Sequence, residues 1–252
     1  MEVEAANLTA LLLASVRATA WLVVCPPFAS RLIPAPVKAL LGLAVALPFA
    51  GKLAPAVPAL ETGQLLVATV EQVVVGVALG FVTALFFAAV QAAGDLIDTF
   101  GGFSLAFAFD PMSSTQTSVF GKFYHVSALT LLFGTGGHQM VLRGFLRSYD
   151  VLPLDGTLSL ERLGNVLTHG LPALFLAALQ IAGPLIAVLF LVDVAFGLLN
   201  RVAPALNAFS LGFPAKILIT LVLGGSAIAV LPRALAGLVE RAVQVVVAVA
   251  GG

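Results

Sequence analysis

The chain has 252 residues, of which 60% are hydrophobic and only 10% charged, with a mean hydropathy of +1.11. A soluble domain carries roughly 25% charged residues, so this chain lacks the charge to coat a water-soluble surface and reads as an integral membrane protein. Twelve basic and twelve acidic residues cancel, leaving no basic field of the kind that binds nucleic acid.

The chain begins Met1, Glu2, Val3, Glu4, with no basic stretch before the apolar run that starts at Leu8. That run is therefore expected to remain in the mature protein and not to be cleaved as a signal. Cys25 is the only cysteine, which excludes an internal disulfide and a cysteine-based metal cluster. Apolar runs fall at about residues 8–29, 39–50, 64–93, 123–142, 166–199 and 217–250. A conventional span needs about 20 apolar residues, so the second run is short and the third, fifth and sixth are long. Pro26, Pro27, Pro34 and Pro36 punctuate the first connection, and Pro55 and Pro58 end the second run. Pro172, Pro184 and Pro232 lie inside helical runs and are expected to kink them.

Lysine and arginine in short loops normally mark the cytoplasmic side. Arg31 and Lys38 put the first connection there, and alternation then puts the 94–122 connection inside as well, despite Asp95, Asp98 and Asp110. The same alternation sends Arg143, Arg147 and Arg162 outside. The rule contradicts itself, so some apolar runs do not span or are covered by partner proteins. Arg17, Glu71, Asp193 and Arg233 lie within apolar runs, where each costs about 2.5–3.5 kcal/mol at a bilayer centre. One reading is an ion or proton path. The other is pairing at subunit contacts or snorkelling from helix ends, favoured by the lack of a repeated acidic pattern.

In the third run Gly76, Gly80, Ala84, Ala88 and Ala92 recur every four residues. Small side chains at this spacing make a ridge suited to close helix approach, so this face is expected to pack on protein. The connection 94–122 follows: Gly94, Asp95, then Gly101, Gly102, Phe103, Ser104, Leu105, Ala106, Phe107, Ala108, Phe109, Asp110, Pro111, Met112 and a polar, uncharged tail from Ser113 to Ser118. Gly-Gly and Asp-Pro oppose a clean helix. Two readings are open: the phenylalanines close a narrow pore by dewetting it, or they rest at the lipid headgroup level. The last connection, 200–216, joins two long apolar segments and carries Asn200, Arg201, Pro204, Asn207, Gly212, Phe213, Pro214 and Lys216. Its prolines and Gly212 are expected to break regular helix, giving a helical hairpin whose tip faces a polar compartment.

Catalysis is not expected. Gly102-Phe103-Ser104-Leu105 lacks the glycine that follows a nucleophilic serine, and His125, His138 and His169 are isolated. There is no His-Glu-x-x-His, phosphate loop or metal-spaced cluster, so no cofactor is proposed.

Taken in order, these residues resemble the FliR/SctT family, export-gate subunits of type III secretion systems. The likeness rests most on Gly197-Leu198-Leu199-Asn200-Arg201 with Pro204, on Gly212-Phe213-Pro214, and on Ala93-Gly94-Asp95 leading to Phe109-Asp110-Pro111. Glu71-Gln72, Gly76, Gly80-Phe81, Gly137-His138 and Leu152-Pro153 add to it. The resemblance implies an all-α membrane protein, with a FliP-like part at 1–165 fused to a FliQ-like hairpin at 166–252. It also implies one copy in a cone-shaped complex with FliP-like and FliQ-like subunits. An FlhB-like partner would lie at the tip 200–216, and unfolded flagellar export substrates would pass through. The location implied is the bacterial inner membrane at the flagellar basal body. In such a gate the loop matching 102–118 is a plug. Phe103, Leu105, Phe107, Phe109 and Met112 would then close the pore, Gly101 and Gly102 would hinge, and Asp110-Pro111 would fix the turn. The alternatives are the injectisome version of the same subunit and, from another class, a small-molecule or ion transporter.

Overall fold

The computed structural model describes residues 2–57, 62–103, 118–156, 160–204, 208–228 and 231–251. Among these the fold is all helix, with no strand. In chain order the α-helices are α1 (Glu2–Val24), α2 (Ala35–Ala46), the single turn α3 (Ala50–Leu53), α4 (Thr62–Gly101), α5 (Val119–Gly134), α6 (Gly137–Val151), α7 (Leu160–Val202), α8 (Ala208–Ala227) and α9 (Leu231–Ala250). Four stretches among the described residues are long and apolar enough to cross a bilayer: Ala5–Val24, Ala35–Leu53, Gly63–Gly101 and Leu163–Val202.

Where the helices stop departs from the sequence reading at several points. The run 123–142 is not one segment: α5 ends at Gly134, and Gly136 takes φ +74° before α6 begins. Glycine occupies that left-handed conformation at little cost, whereas other residues resist it. Pro232 does not kink a helix but sits at the second position of α9, where its missing N–H has no partner to lose. Pro172 and Pro184 do lie inside α7. Gly212 and Pro214, expected in an irregular turn, lie inside α8. Gly212 is held by packing under Phe196, whereas Pro214 is exposed.

The chain divides into two compact units, each made of separate stretches. The first comprises 1–86, 136–170 and 238–252. Its core stacks Trp21 of α1 on Phe145 of α6, with ring centroids 4.4 Å apart. Leu13, Leu79 and Val246 are buried in the same unit. Gly144 of α6 lets Val243 of α9 approach, since a Cβ there would lie 3.0 Å from the valine methyl. The second unit comprises 87–135 and 171–237. Phe120 is its aromatic centre, edge-on to Phe103 and Phe123 and beneath Gly224 of α8.

Candidate functional site

In the first unit, Arg17 is completely buried. Its Nε donates to Gln72 Oε1 at 2.7 Å, and Nη1 donates to the Leu152 carbonyl at 2.8 Å and the Ser148 carbonyl at 3.4 Å. Nη2 reaches the Pro153 carbonyl at 3.4 Å. The guanidinium lies 4.9 Å from the centre of the Tyr149 ring, an attraction between cation and aromatic face. Among the described residues no carboxylate pairs with it. The negative pole is supplied by carbonyls at and beyond the C-terminus of α6, where the helix dipole favours a cation. Gln72 passes the link onward by donating Nε2 to the Leu154 carbonyl at 3.0 Å. Tyr149 donates its hydroxyl to the Ala14 carbonyl at 2.7 Å, and burial pushes its phenol pKa up. Arg17 finds its partners within its own chain, a placement that neither reading of the charges in apolar runs names.

The ridge glycines begin beside this centre. A Cβ on Gly76 would collide with the Arg17 carbonyl, and one on Gly80 would lie 3.0 Å from that of Trp21. Farther along α4, Ala84 and Ala92 are half-buried and Ala88 is exposed. A four-residue repeat drifts about 40° per step around a helix of 3.6 residues per turn, so the row does not stay on one face.

In the second unit the two ends of the central connection meet. Asp98, in the last turns of α4, is 4% exposed and accepts from the Ser118 hydroxyl and from the Phe120 N–H at 3.1 Å. Ser118 caps α5, its Oγ accepting from Gly121 N–H at 2.8 Å. Backbones approach closely because Gly94 meets the Phe120 carbonyl and Gly121 meets the Asp95 carboxylate with no Cβ between them. Gly101 ends α4 against Thr220, where a Cβ would lie 2.7 Å from Oγ1, and Gly102 takes φ +85° beside Phe213. Both glycines expected as a hinge are thus buried. Phe103 packs edge-on to Phe120 with centroids 5.3 Å apart. Leu105, Phe107, Phe109, Asp110, Pro111 and Met112 lie outside the described residues.

At the hairpin tip Asn200, Arg201 and Pro204 are exposed, and Asn207 lies outside the described residues. Lys216 pairs with Asp193 at 2.8 Å, joining α7 to α8. Gly212 is buried under Phe196, while Phe213 is half-buried and Pro214 exposed. Glu71 is half-buried and Arg233 exposed, each without an ion pair among the described residues. Sequence reasoning named Arg17 and Asp193 but missed their partners. It counted Asp98 only as a charge and Ser118 only as a polar tail residue. A serine three residues ahead of a glycine at a helix start is a weak capping signal, and nothing local pairs it with Asp98.

Residues 8–242 match the family described as bacterial export proteins, family 1. The flagellar biosynthetic protein FliR of Bacillus subtilis (strain 168) is 30% identical over 218 residues, 85% of this chain and 84% of that protein. FliR of Escherichia coli (strain K12) is 35% identical over 172 residues, 68% of this chain and 64% of its own. The surface presentation of antigens protein SpaR of Shigella flexneri is 33% identical over 151 residues, 60% of this chain and 58% of its own.

Proposed function

We propose, from the premise that this chain belongs to the bacterial export proteins, family 1, and is a subunit of a type III export apparatus, that it is the single-copy member of the export gate. With FliP-like and FliQ-like subunits it forms the pore through which unfolded flagellar substrates cross the inner membrane at the basal body. The observation that carries this reading is the family match over residues 8–242. The flagellar setting is preferred to the injectisome because FliR of Bacillus subtilis aligns over 85% of this chain and SpaR over 60%. Membership of an export family also disfavours the small-molecule transporter reading.

Within the gate, residues 103–112 act as the closure. Phe103, Leu105, Phe107, Phe109 and Met112 supply an apolar constriction, the kind that excludes ions by dewetting. Shortening 103–112 in an otherwise assembled complex is expected to make cells leak small ions, and unchanged leakage removes the plug role. The tip bearing Asn200 and Arg201 is the place of an FlhB-like partner. Its exposure supports this reading, because a buried tip would have no surface to offer. Replacing both residues is expected to weaken partner capture; a variant that binds and secretes normally would exclude a contact there.

A further inference from the structure

We infer that the turn of α7 around Gln180 and Pro184 is a contact site for a membrane helix of another subunit, one that brings a side chain able to donate a hydrogen bond. The inference rests on the reading of this chain as one member of a mixed export gate. It does not depend on how that gate closes.

In residues 171–192 Gln180 is the only polar side chain. The stretch lies inside α7, in the segment Leu163–Val202 that is long and apolar enough to cross a bilayer. At about 1.5 Å per residue it measures about 33 Å, close to the roughly 30 Å of a hydrocarbon core. Gln180 lies about 14 Å from its start. A short carboxamide there cannot reach water by snorkelling, as the longer stems of lysine and arginine do. Yet Gln180 is exposed, and its amide has no hydrogen-bond partner among the described residues.

Pro184 adds a second polar group at the same place. A proline inside a helix has no N–H to give to the carbonyl four residues back, which here is that of Gln180. Gln180 therefore presents a backbone carbonyl released from the helix beside an amide with two donors and an acceptor. Membrane helices tolerate such prolines where a neighbouring helix satisfies the freed group. Among the described residues no side chain does so.

Leu176, Gln180, Pro184, Ala187, Leu191 and Val194 are all exposed, and their spacing of three and four puts them on one face of α7. The middle of this face is low. A Cβ on Gly183, beside Pro184, would meet nothing within 4 Å, and Ala187 follows one turn on. Small residues set between leucines let a second backbone come close. A lipid tail offers no donor to the carbonyl or the amide. Water would satisfy both, but it would also wet Leu176, Leu191 and Val194. A helix with a polar side chain at this height satisfies the amide and covers the leucines together.

The test uses the full chain co-expressed with its neighbouring FliP-like and FliQ-like proteins. A photo-crosslinking amino acid replaces Leu176, one turn before Gln180, or Ala187, one turn after Pro184. A crosslink to a subunit other than this chain is expected. In Gln180→Leu, which keeps the helix and removes the amide, retention of that subunit in detergent should fall about threefold, the usual scale of one hydrogen bond between membrane helices. Gly183→Leu, whose added bulk begins in open space, should abolish the crosslink by filling the low point. Crosslinks only to lipid or to a second copy of this chain would overturn the site. So would ready labelling of Gln180→Cys by a water-soluble thiol reagent, or parental retention in Gln180→Leu. If the proteins do not co-purify at all, the gate reading fails as well; co-purification without a crosslink at this face removes the contact alone.

Discussion

Arg17 shows what a single buried charge does in this chain. Removing it would strip its donors from Gln72 Oε1 and the Leu152 carbonyl, while the Ser148 and Pro153 carbonyls keep the N–H groups of Leu152 and Gly156. Each buried polar group stripped of its partner costs about 1–3 kcal/mol. Arg17→Leu should therefore destabilise the first unit by at least about 2 kcal/mol, seen as loss of protease-resistant, assembled protein in membranes. Arg17→Lys should recover only part of the loss, because an ammonium cannot reproduce the planar fork that reaches Gln72 and the α6 carbonyls together. Wild-type yields from Arg17→Leu would mean that the guanidinium is not needed to hold α1, α4 and α6. The sequence flagged Arg17 as a misplaced charge, yet its partners lie 55 to 136 residues away. No local pattern could have revealed that carbonyls, and not an acid, would neutralise it.

Between helices, the decisive residues are those that lack a side chain. Gly76 brings α4 onto the Arg17 carbonyl, so Gly76→Val must push α1 and α4 apart. It is expected to cut assembled protein severely. Gly63→Ala, on the same helix with nothing within 4 Å of its Cβ, should be neutral or slightly stabilising, since alanine is the better helix former. Equal tolerance of both changes in a pulldown of the complex would contradict the packing described. Helix type and the apolar runs were legible because runs of this length have few other solutions in lipid. Proline was not. Pro214 and Pro232 look alike in sequence, but one lies within α8 and the other opens α9. The difference depends on where each helix starts, which local sequence sets only weakly. Of the ridge residues, Gly76 and Gly80 lie against α1, and the four-residue repeat drifts around the helix beyond them.

For the molecule as a whole, most of the apolar surface of α2 and α7 remains outside the chain's own core. Leu40, Phe175, Phe190, Leu191 and Val202 are exposed large side chains, and water is an unfavourable neighbour for all of them. Lipid or other subunits must cover them, which agrees with a chain that works inside a larger membrane assembly. The orientation rule that contradicted itself in the sequence assumes helices that each span alone. Family membership was legible from short motifs in order. The neck of the central connection was not, since Asp98, Ser118 and Phe120 meet only through folding.

The most direct measurement is native mass spectrometry of this chain co-expressed with its neighbouring FliP-like and FliQ-like proteins, and of the chain expressed without them. One copy of this chain in a large mixed complex is expected, and no stable particle in the partners' absence. A self-sufficient monomer or homodimer that ignores those partners would contradict it.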